Sequence, residues 1–244
     1  MKINDVTCFI LAAGDSVRWG PGSLSKTIKL VQGEPLIGRT IRMSKELGVT
    51  PIVVTDKPEV IEVAKHYDIP YFEPLHREFL ASTALSTREL WGPKNIILLG
   101  DVYYGPCFES LFNINKPWQY FGTLIEGFCM SFTDVDAMEK ALEVASNRDK
   151  YGSFGYLRDA LHYLENIPIE WGIQLRVPAP DSFVMIADGT DDIDTPEQYD
   201  ELLKRIELQS ESQTELYPEK NSEIICHKVG RNLHPSKRIA RLSI

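Results

Sequence analysis

Residues 6–26 read VTCFILAAGDSVRWGPGSLSK. The segment begins with Val6–Ala12, a run of β-branched, aromatic and other apolar residues that predicts a buried strand. The strand ends in a second alanine and Gly14, small residues that let the backbone approach a ligand and direct its amides toward it. Arg18 and Lys26 then add positive charge. Because guanidinium groups and backbone amides both bind phosphate oxygens, the segment predicts a phosphate-binding loop after the first strand.

The elements that follow alternate between helices and short apolar strands. The patterns predict helices over Leu36–Leu47, Glu59–Tyr67 and Phe79–Trp91, and strands over Ile52–Thr55, Ile69–Phe72 and Asn95–Leu99. Such alternation is typical of right-handed crossovers in a mostly parallel sheet with helices on both faces. We therefore predict an α/β fold in which ligands bind beyond the carboxyl ends of the strands.

The second half of the chain loses this regular alternation. It predicts one long or two short strands over Gln119–Phe132, strands over Ile173–Val177 and Phe183–Ala187, and helices over Ala137–Ser146, Phe154–Asn166 and Thr195–Leu208. From Gln209 the sequence becomes polar and then basic, and Pro218 would interrupt a helix. We predict one domain over residues 1–208 and an extended arm or small appendage over residues 209–244.

Composition limits the classes of function. With 43% hydrophobic and 25% charged residues, the profile is that of a soluble globular protein. No stretch approaches the roughly 20 apolar residues that cross a bilayer, and the first apolar run reads poorly as a secretion signal, so we expect a cytoplasmic protein. The net charge of −9 argues against nucleic-acid binding over most of the chain. The segment from Cys226 onward differs, because it contains basic but no acidic residues.

Four cysteines, Cys8, Cys107, Cys129 and Cys226, lie far apart without a C-x-x-C pair. The five histidines show no metal-ligand spacing either. These patterns predict reduced, partly buried thiols rather than disulfides or a thiolate metal site.

The phosphate-binding loop continues into a longer pattern. Residues 11–41 read LAAGDSVRWGPGSLSKTIKLVQGEPLIGRTI. The order and spacing of L-A-A-G, Arg18, Lys26 and G-E-P-L-I resemble the signature of nucleotidyltransferases of the glycosyltransferase-A-like fold, which include molybdenum-cofactor guanylyltransferase and cytidylyl and sugar-phosphate enzymes. The sequence departs from that pattern at Ser16, where the family usually has glycine, and at Ser25, where it usually has proline before the lysine. We expect Ser16 to stiffen the loop and Ser25 to loosen the placement of Lys26.

The resemblance implies how a nucleoside triphosphate binds. Arg18 and Lys26 would be catalytic cations beside the triphosphate. Ser82 and Thr83, at the start of a predicted helix, would lie against the base and ribose, although a Ser-Thr pair there is also an ordinary helix cap. The nucleotide-binding backbone implied by the family is that of Leu11, Ala12, Ala13 and Gly14.

Acidic residues follow two further predicted strands. Asp101 comes after Asn95–Leu99 and therefore lies at the predicted cleft, where a lone buried carboxylate is costly unless paired or metal-bound. In the resembled family this aspartate is catalytic and binds Mg²⁺. Residues 191–197 read DDIDTPE, similar to another family motif, which implies Asp192 as a second metal ligand and Asp194 nearer the helix cap. The alternatives are that Asp101 caps the turn at Gly105 and that the other two serve a helix amino terminus.

Candidate acceptor-binding residues are Tyr103, Glu126 and Asp194. Tyr103 directly follows the Asp101 region and either lines the acceptor site or packs. Glu126 either holds an acceptor hydroxyl or is solvated at the surface.

Together these features predict a Mg²⁺-dependent nucleotidyltransferase. It would move a nucleoside monophosphate from an NTP, preferably CTP, to a small phosphorylated acceptor such as a sugar phosphate, and release pyrophosphate. Two alternatives stay open. One is a metal-dependent glycosyltransferase of the same fold, although Asp101-Val102-Tyr103 lacks the second aspartate used there; the other is a non-catalytic, nucleotide-binding regulatory protein. Neither nucleic acid nor a membrane is predicted as a partner, and homo-oligomerisation is left open.

Overall fold

The computed structural model describes residues 5–20, 22–123, 125–169 and 180–216. Its strands are β1 (Val6–Leu11), β2 (Leu30–Val31), β3 (Glu34–Pro35), β4 (Ile52–Val54), β5 (Tyr71–Phe72), β6 (Lys94–Leu99), β7 (Val102–Tyr103), β8 (Trp118–Gly122), β9 (Gly127–Phe132), β10 (Phe183–Met185) and β11 (Asp191–Asp192). Its α-helices are α1 (Leu36–Glu46), α2 (Pro58–His66), α3 (Leu80–Leu85), α4 (Val135–Ser146), α5 (Arg148–Tyr151), α6 (Leu157–Leu164) and α7 (Pro196–Leu216). Short 3-10 helices span Val17–Trp19, Lys26–Ile28, Arg88–Leu90 and Pro106–Phe112.

Seven strands form the central sheet, in the order β10-β8-β9-β6-β1-β4-β5. The strands β6, β1, β4 and β5 are parallel to one another, whereas β9 runs antiparallel to both of its neighbours. The central strands β1 and β6 are almost entirely apolar and buried, as expected where helices cover both faces of a sheet. The predicted α/β fold with a mostly parallel sheet is therefore confirmed.

A two-stranded ribbon beside the sheet was not predicted from the sequence. Here β7 pairs antiparallel with β11, so that Val102 lies opposite Asp192. The two strands contribute only two residues each, too few for the alternation on which strand prediction relies. The ribbon nevertheless connects the end of β6 with the segment that begins α7.

A second, smaller apolar cluster fixes α7 against the rest of the domain. Its buried members are Val31, Leu36, Ile193, Leu202 and Ile206. They come from β2, the start of α1, the segment after β11, and α7. Burial of these side chains holds the β11–α7 connection beside the loop that follows β1.

Two predicted helix boundaries are wrong. The single helix predicted over Phe79–Trp91 is instead α3 followed by a 3-10 turn, because the Thr87 hydroxyl donates to the carbonyl of Ala84 and competes with helix continuation. Helix α7 does not end at Leu208 but continues to Leu216, since neither glycine nor proline occurs in α7 beyond its first residue and the next proline is Pro218. The division into a domain over residues 1–208 and an arm or small appendage over residues 209–244 stays a prediction.

Some predictions fall outside the described residues, namely the strand over Ile173–Val177 and the arm from residue 217 onward. In the part that is described, no helix is long and apolar enough to cross a membrane. The prediction of buried, reduced thiols is confirmed for Cys8, Cys107 and Cys129. Burial raises the pKa of the Cys8 thiol to about 12, so this group is an inert part of the core.

Tyr104 joins two strands of the sheet at the edge where the site lies. Its hydroxyl accepts a hydrogen bond from the Leu99 amide at 2.9 Å and donates one to the Phe128 carbonyl at 2.8 Å. The side chain is only 1% exposed, so no water can replace these partners. These two hydrogen bonds link the end of β6 to β9, two residues before Asp101.

We predict that Tyr104→Phe lowers the free energy of unfolding by about 1–3 kcal/mol, because it leaves a buried amide and a buried carbonyl without their partner. Chemical denaturation monitored by circular dichroism measures the change. Tyr163→Phe is the matched control, since Tyr163 is 41% exposed and should tolerate the same deletion. Equal stability of the two variants would contradict this role of Tyr104.

Candidate active site

A cavity of about 840 Å³ opens at the carboxyl ends of β1 and β6. The loop after β1, the starts of α3 and α6, the turn between β8 and β9, and the β11–α7 connection surround it. Its polar and charged lining residues include Arg18, Lys26, Arg77, Thr83, Asp101, Glu126, Arg158, Asp192 and Asp194, together with the backbone of residues 11–14. The position agrees with the predicted cleft.

Gly100 lets the ends of β1 and β6 approach each other. Its amide donates to the Leu11 carbonyl at 2.9 Å. A Cβ atom at this position would lie 2.9 Å from the same carbonyl oxygen and 3.1 Å from the Cβ of Ala12, closer than packed atoms tolerate. The glycine therefore places Asp101 directly beside the loop that begins at Ala12.

The loop between Gly14 and Lys26 is held by side-chain hydrogen bonds. A Cβ atom at Gly14 would meet no atom within 4 Å, so this backbone faces open cavity. The Ser16 hydroxyl accepts from the Lys26 amide at 2.9 Å, which ties the two ends of the loop together as expected for a stiffening residue. The Ser25 amide donates to the Glu59 carboxylate at 2.9 Å, a bond that proline could not make. The expected loosening at Ser25 is therefore not found.

Pairing of β7 with β11 brings the three aspartates of the site together. Asp192 lies opposite Val102 in this ribbon, and the Ile193 amide donates to the Asp101 carbonyl at 3.0 Å. One carboxylate oxygen from each of Asp101, Asp192 and Asp194 lies within 4.8 Å of the others. Residues separated by more than 90 positions in the sequence thus form one acidic cluster.

Lys26 lies inside this acidic cluster. Its Nζ is 2.7 Å from a carboxylate oxygen of Asp101 and 2.7 Å from one of Asp194. Arg18 also pairs with Asp194. The amide of Gly105 donates to the Thr190 hydroxyl rather than to Asp101, whose carboxylate pairs with Lys26. The Asp194 carboxylate accepts hydrogen bonds from Lys26 and Arg18.

Burial and charge shift the pKa values of the cluster in opposite directions. Burial alone would lower the pKa of Lys26, but the negative charges of Asp101 and Asp192 raise it above its ordinary value. Burial also opposes ionisation of Asp194, yet its hydrogen bond to Lys26 keeps its pKa below normal. For Asp192, burial and then repulsion by Asp101 raise the pKa to about 8.

The acidic cluster fits a divalent cation. Carboxylate oxygens are the ligands that Mg²⁺ and Ca²⁺ prefer in proteins. The Oδ1 atom of Asp192 is buried and has no hydrogen-bond partner within the described part of the chain, which leaves it available as a ligand. Asp101 and Asp192, the metal ligands implied by the family resemblance, are thus together, and Asp194 joins them.

Of four other predicted site residues, two line the cavity and two do not. Thr83 and Glu126 line the cavity, and burial raises the pKa of Glu126 above normal. Ser82 does not line it; its hydroxyl donates to the Phe79 carbonyl and accepts from the Phe79 amide, as a helix-capping residue does. Tyr103 does not line it either, because its ring packs 4.3 Å from the Arg39 guanidinium.

Two cationic residues of the cavity were missed in the sequence analysis. Arg77 pairs with Asp56 at 3.0 Å and with Asp15 at 3.4 Å, next to the β1 loop. Arg158 enters from the first turn of α6. Neither belongs to a local motif, so only the folded chain shows that they reach the site.

Residues 8–106 match the MobA-like NTP transferase domain family. This segment, which is less than half of the chain, is similar to an NTP transferase domain. The match contains Arg18, Lys26 and Asp101 and ends before Asp192. The resemblance inferred from the sequence to nucleotidyltransferases of the glycosyltransferase-A-like fold is therefore confirmed.

Several solved structures share the fold of this chain. CTP:phosphocholine cytidylyltransferase from Streptococcus pneumoniae aligns over 83% of this chain and 99% of its own, with a TM-score of 0.60 and 12% identity. The inositol-1-phosphate CTP transferase from T. maritima aligns over 82% of this chain and 96% of its own, with a TM-score of 0.54 and 12% identity. UDP-glucose pyrophosphorylase from Acinetobacter baumanii aligns over 84% of this chain and 94% of its own, with a TM-score of 0.57 and 14% identity. At these identities the likeness establishes the fold. No curated protein sequence matches this chain.

The raised pKa of Asp192 predicts how stability changes with pH. The folded protein keeps a proton that the unfolded chain loses near pH 4, so the contribution of Asp192 to stability falls as pH rises toward about 8. Asp192→Asn removes this penalty. We predict that the variant melts several degrees above the wild type at pH 9 and close to it at pH 5, in buffer with a chelator.

Differential scanning fluorimetry across this pH range measures the effect. Asp149→Asn, which changes an exposed aspartate outside the cavity, is the control and should show no such pH dependence. If Asp192→Asn gave no gain at pH 9, the carboxylate would not be held in the unfavourable environment described above.

Proposed function

We propose that the protein transfers a nucleoside monophosphate from an NTP, with CTP as the preferred donor, to a small phosphorylated acceptor. The observation that carries the proposal is the position of Lys26 between Asp101 and Asp194, beside the loop of residues 11–14. An NTP–metal site needs this combination of backbone amides, a fixed cation and a carboxylate cluster.

The triphosphate side of the site is built by the loop after β1. Residues 11–14 line the cavity. The Ala12 amide donates to the Val54 carbonyl at 2.9 Å, so the amides of Ala13 and Gly14 are the ones that would donate to phosphate oxygens. Arg18 and Lys26 would stabilise the charge on the leaving pyrophosphate. Thr83 in α3 also lines the cavity and would contact the ribose or base.

The acidic cluster would hold a divalent cation through Asp101, Asp192 and Asp194. Bound there, Mg²⁺ would neutralise the negative charge that develops on the α-phosphate. Lys26 competes for the same carboxylates in the ligand-free protein. With these carboxylates holding a cation, the Lys26 ammonium would be repelled from them and would be available to bind the triphosphate.

The reaction needs no protein nucleophile. An oxygen of the acceptor phosphate forms a bond to the α-phosphorus, while the bond from that phosphorus to the bridging oxygen breaks and pyrophosphate leaves with the electron pair. At neutral pH a phosphate monoester is already largely dianionic, so a general base is not required. The residues described above contribute by positioning both reactants and by electrostatic stabilisation.

The choice of CTP rests on sequence and on fold. The DIDTPE segment resembles cytidylyl members of the family, and two structures of the same fold are described as a CTP:phosphocholine cytidylyltransferase and an inositol-1-phosphate CTP transferase. A third is a UDP-glucose pyrophosphorylase, so we include uridylyl transfer in the test.

The test is a screen of the four NTPs with Mg²⁺ against phosphocholine, inositol 1-phosphate and sugar 1-phosphates, read by pyrophosphate release. We expect release with CTP and one class of phosphorylated acceptor. Asp101→Asn should lower the rate by about 100-fold or more, because it removes a carboxylate ligand while keeping side-chain shape. Asp134→Asn, which alters an exposed helix cap far from the cavity, is the control.

The outcomes separate the alternatives. An NTP that raises the melting temperature without any pyrophosphate release indicates a nucleotide-binding regulatory protein. Cleavage of a nucleotide-sugar, without pyrophosphate release from any NTP, indicates a glycosyltransferase. If no NTP binds in the presence of Mg²⁺, or if Asp101→Asn retains full activity, the proposed function is wrong.

A further inference from the structure

Four cationic side chains among the described residues line the cavity. They differ in whether a carboxylate of the protein pairs with them. Arg18 pairs with Asp194, Lys26 with Asp101 and Asp194, and Arg77 with Asp56 and Asp15; the fourth is Arg158.

Arg158 has no ion-pair partner among the described residues, and its Nε is buried without a hydrogen-bond partner. The adjacent carboxylate is already used. Asp159 accepts the amide of Phe154 at 2.7 Å and that of Tyr156 at 3.1 Å, and so caps α6. Burial, together with repulsion by Arg158, lowers the pKa of His162 one turn further on, which favours its neutral form, so this ring does not neutralise the guanidinium. A guanidinium placed in a cavity with an unused donor is suited to bind an anion from outside the protein.

Arg158 belongs to α6, which packs against β9, whereas the triphosphate loop follows β1. The Tyr120 ring of β8 lines the same cavity as Arg158. In the sheet, β6 with Asp101 at its end separates β1 from β9 and β8. The loop of residues 11–14 therefore borders the cavity on the β1 side of Asp101, and α6 with Arg158 borders it on the β9 side. An in-line transfer at the cluster requires its two phosphate-bearing reactants in this arrangement.

We propose that Arg158 binds the phosphate monoester of the acceptor, an inference that rests on the proposed nucleotidyl transfer. The guanidinium can hold two phosphate oxygens in a bidentate pair and leave the third directed at the α-phosphorus. The neighbouring lining residues Ile125, Tyr156 and Glu126 would then contact the organic part of the acceptor. Acceptors with a phosphate monoester and a small, partly apolar or hydroxylated group fit this subsite.

Two simple anions test the subsite separately from the triphosphate loop. Phenyl phosphate is the monoester probe, and pyrophosphate is the probe for the loop with Arg18; calorimetric titration gives both dissociation constants. We expect Arg158→Gln to weaken phenyl phosphate binding about ten-fold or more and to leave pyrophosphate binding within about two-fold of wild type. Arg18→Gln should show the reverse pattern. Arg158→Lys should recover part of the lost affinity, because it restores the charge but not the bidentate geometry.

Arg148→Gln, an exposed change in α5 outside this cavity, is the control and should alter neither affinity. Melting temperatures check that each variant is folded; Arg158→Lys provides the comparison if Arg158→Gln is destabilised. Phenyl phosphate that binds Arg158→Gln and Arg158→Lys as well as wild type, or that does not bind wild type, overturns the subsite. Failure of pyrophosphate and of every NTP to bind overturns the proposed function instead.

Discussion

The ammonium group of Lys26 and the carboxylates of Asp101 and Asp194 hold three distant parts of the chain together. Lys26 belongs to the loop after β1, Asp101 follows β6, and Asp194 precedes α7. The Lys26 side chain is only 15% exposed, so its buried positive charge requires these carboxylates as partners. The approach of β6 to β1 at Gly100, the ribbon of β7 with β11 and the apolar cluster beneath α7 all serve to bring these charges into contact.

This arrangement gives an acidic protein a place for an anionic substrate. With a net charge of −9, the molecule as a whole repels phosphates. The cavity reverses this locally through its cations and the amides of the β1 loop. Among the described residues, Arg18, Lys26 and Arg77 are paired with carboxylates in the ligand-free protein, whereas Arg158 is not. A metal and a triphosphate together can replace these internal ion pairs without leaving a net buried charge.

The sequence predicted the sheet and one side of the site well, because their signals are local. The strands β1 and β6 contain apolar runs at residues 8–11 and 96–99, and Arg18, Lys26 and Asp101 follow these runs at short sequence distances. Asp192 was found from a motif, but its contact with Asp101 depends on a ribbon of two-residue strands without sequence signal. The effect of Ser25 was predicted wrongly, since its partner Glu59 lies on another helix. Arg158 could not be identified from the sequence, because no motif shows that it lines the cavity without an ion-pair partner among the described residues.

The central claim is that Lys26 occupies, in the ligand-free protein, the place of a divalent cation among the three aspartates. The most direct measurement is a titration with Mn²⁺, followed by electron paramagnetic resonance, of the nucleotide-free wild type and of Lys26→Met. Removing the competing ammonium should tighten Mn²⁺ binding about ten-fold or more. Equal or weaker Mn²⁺ binding by Lys26→Met would show that Lys26 and a metal do not share these carboxylates, and would contradict the account.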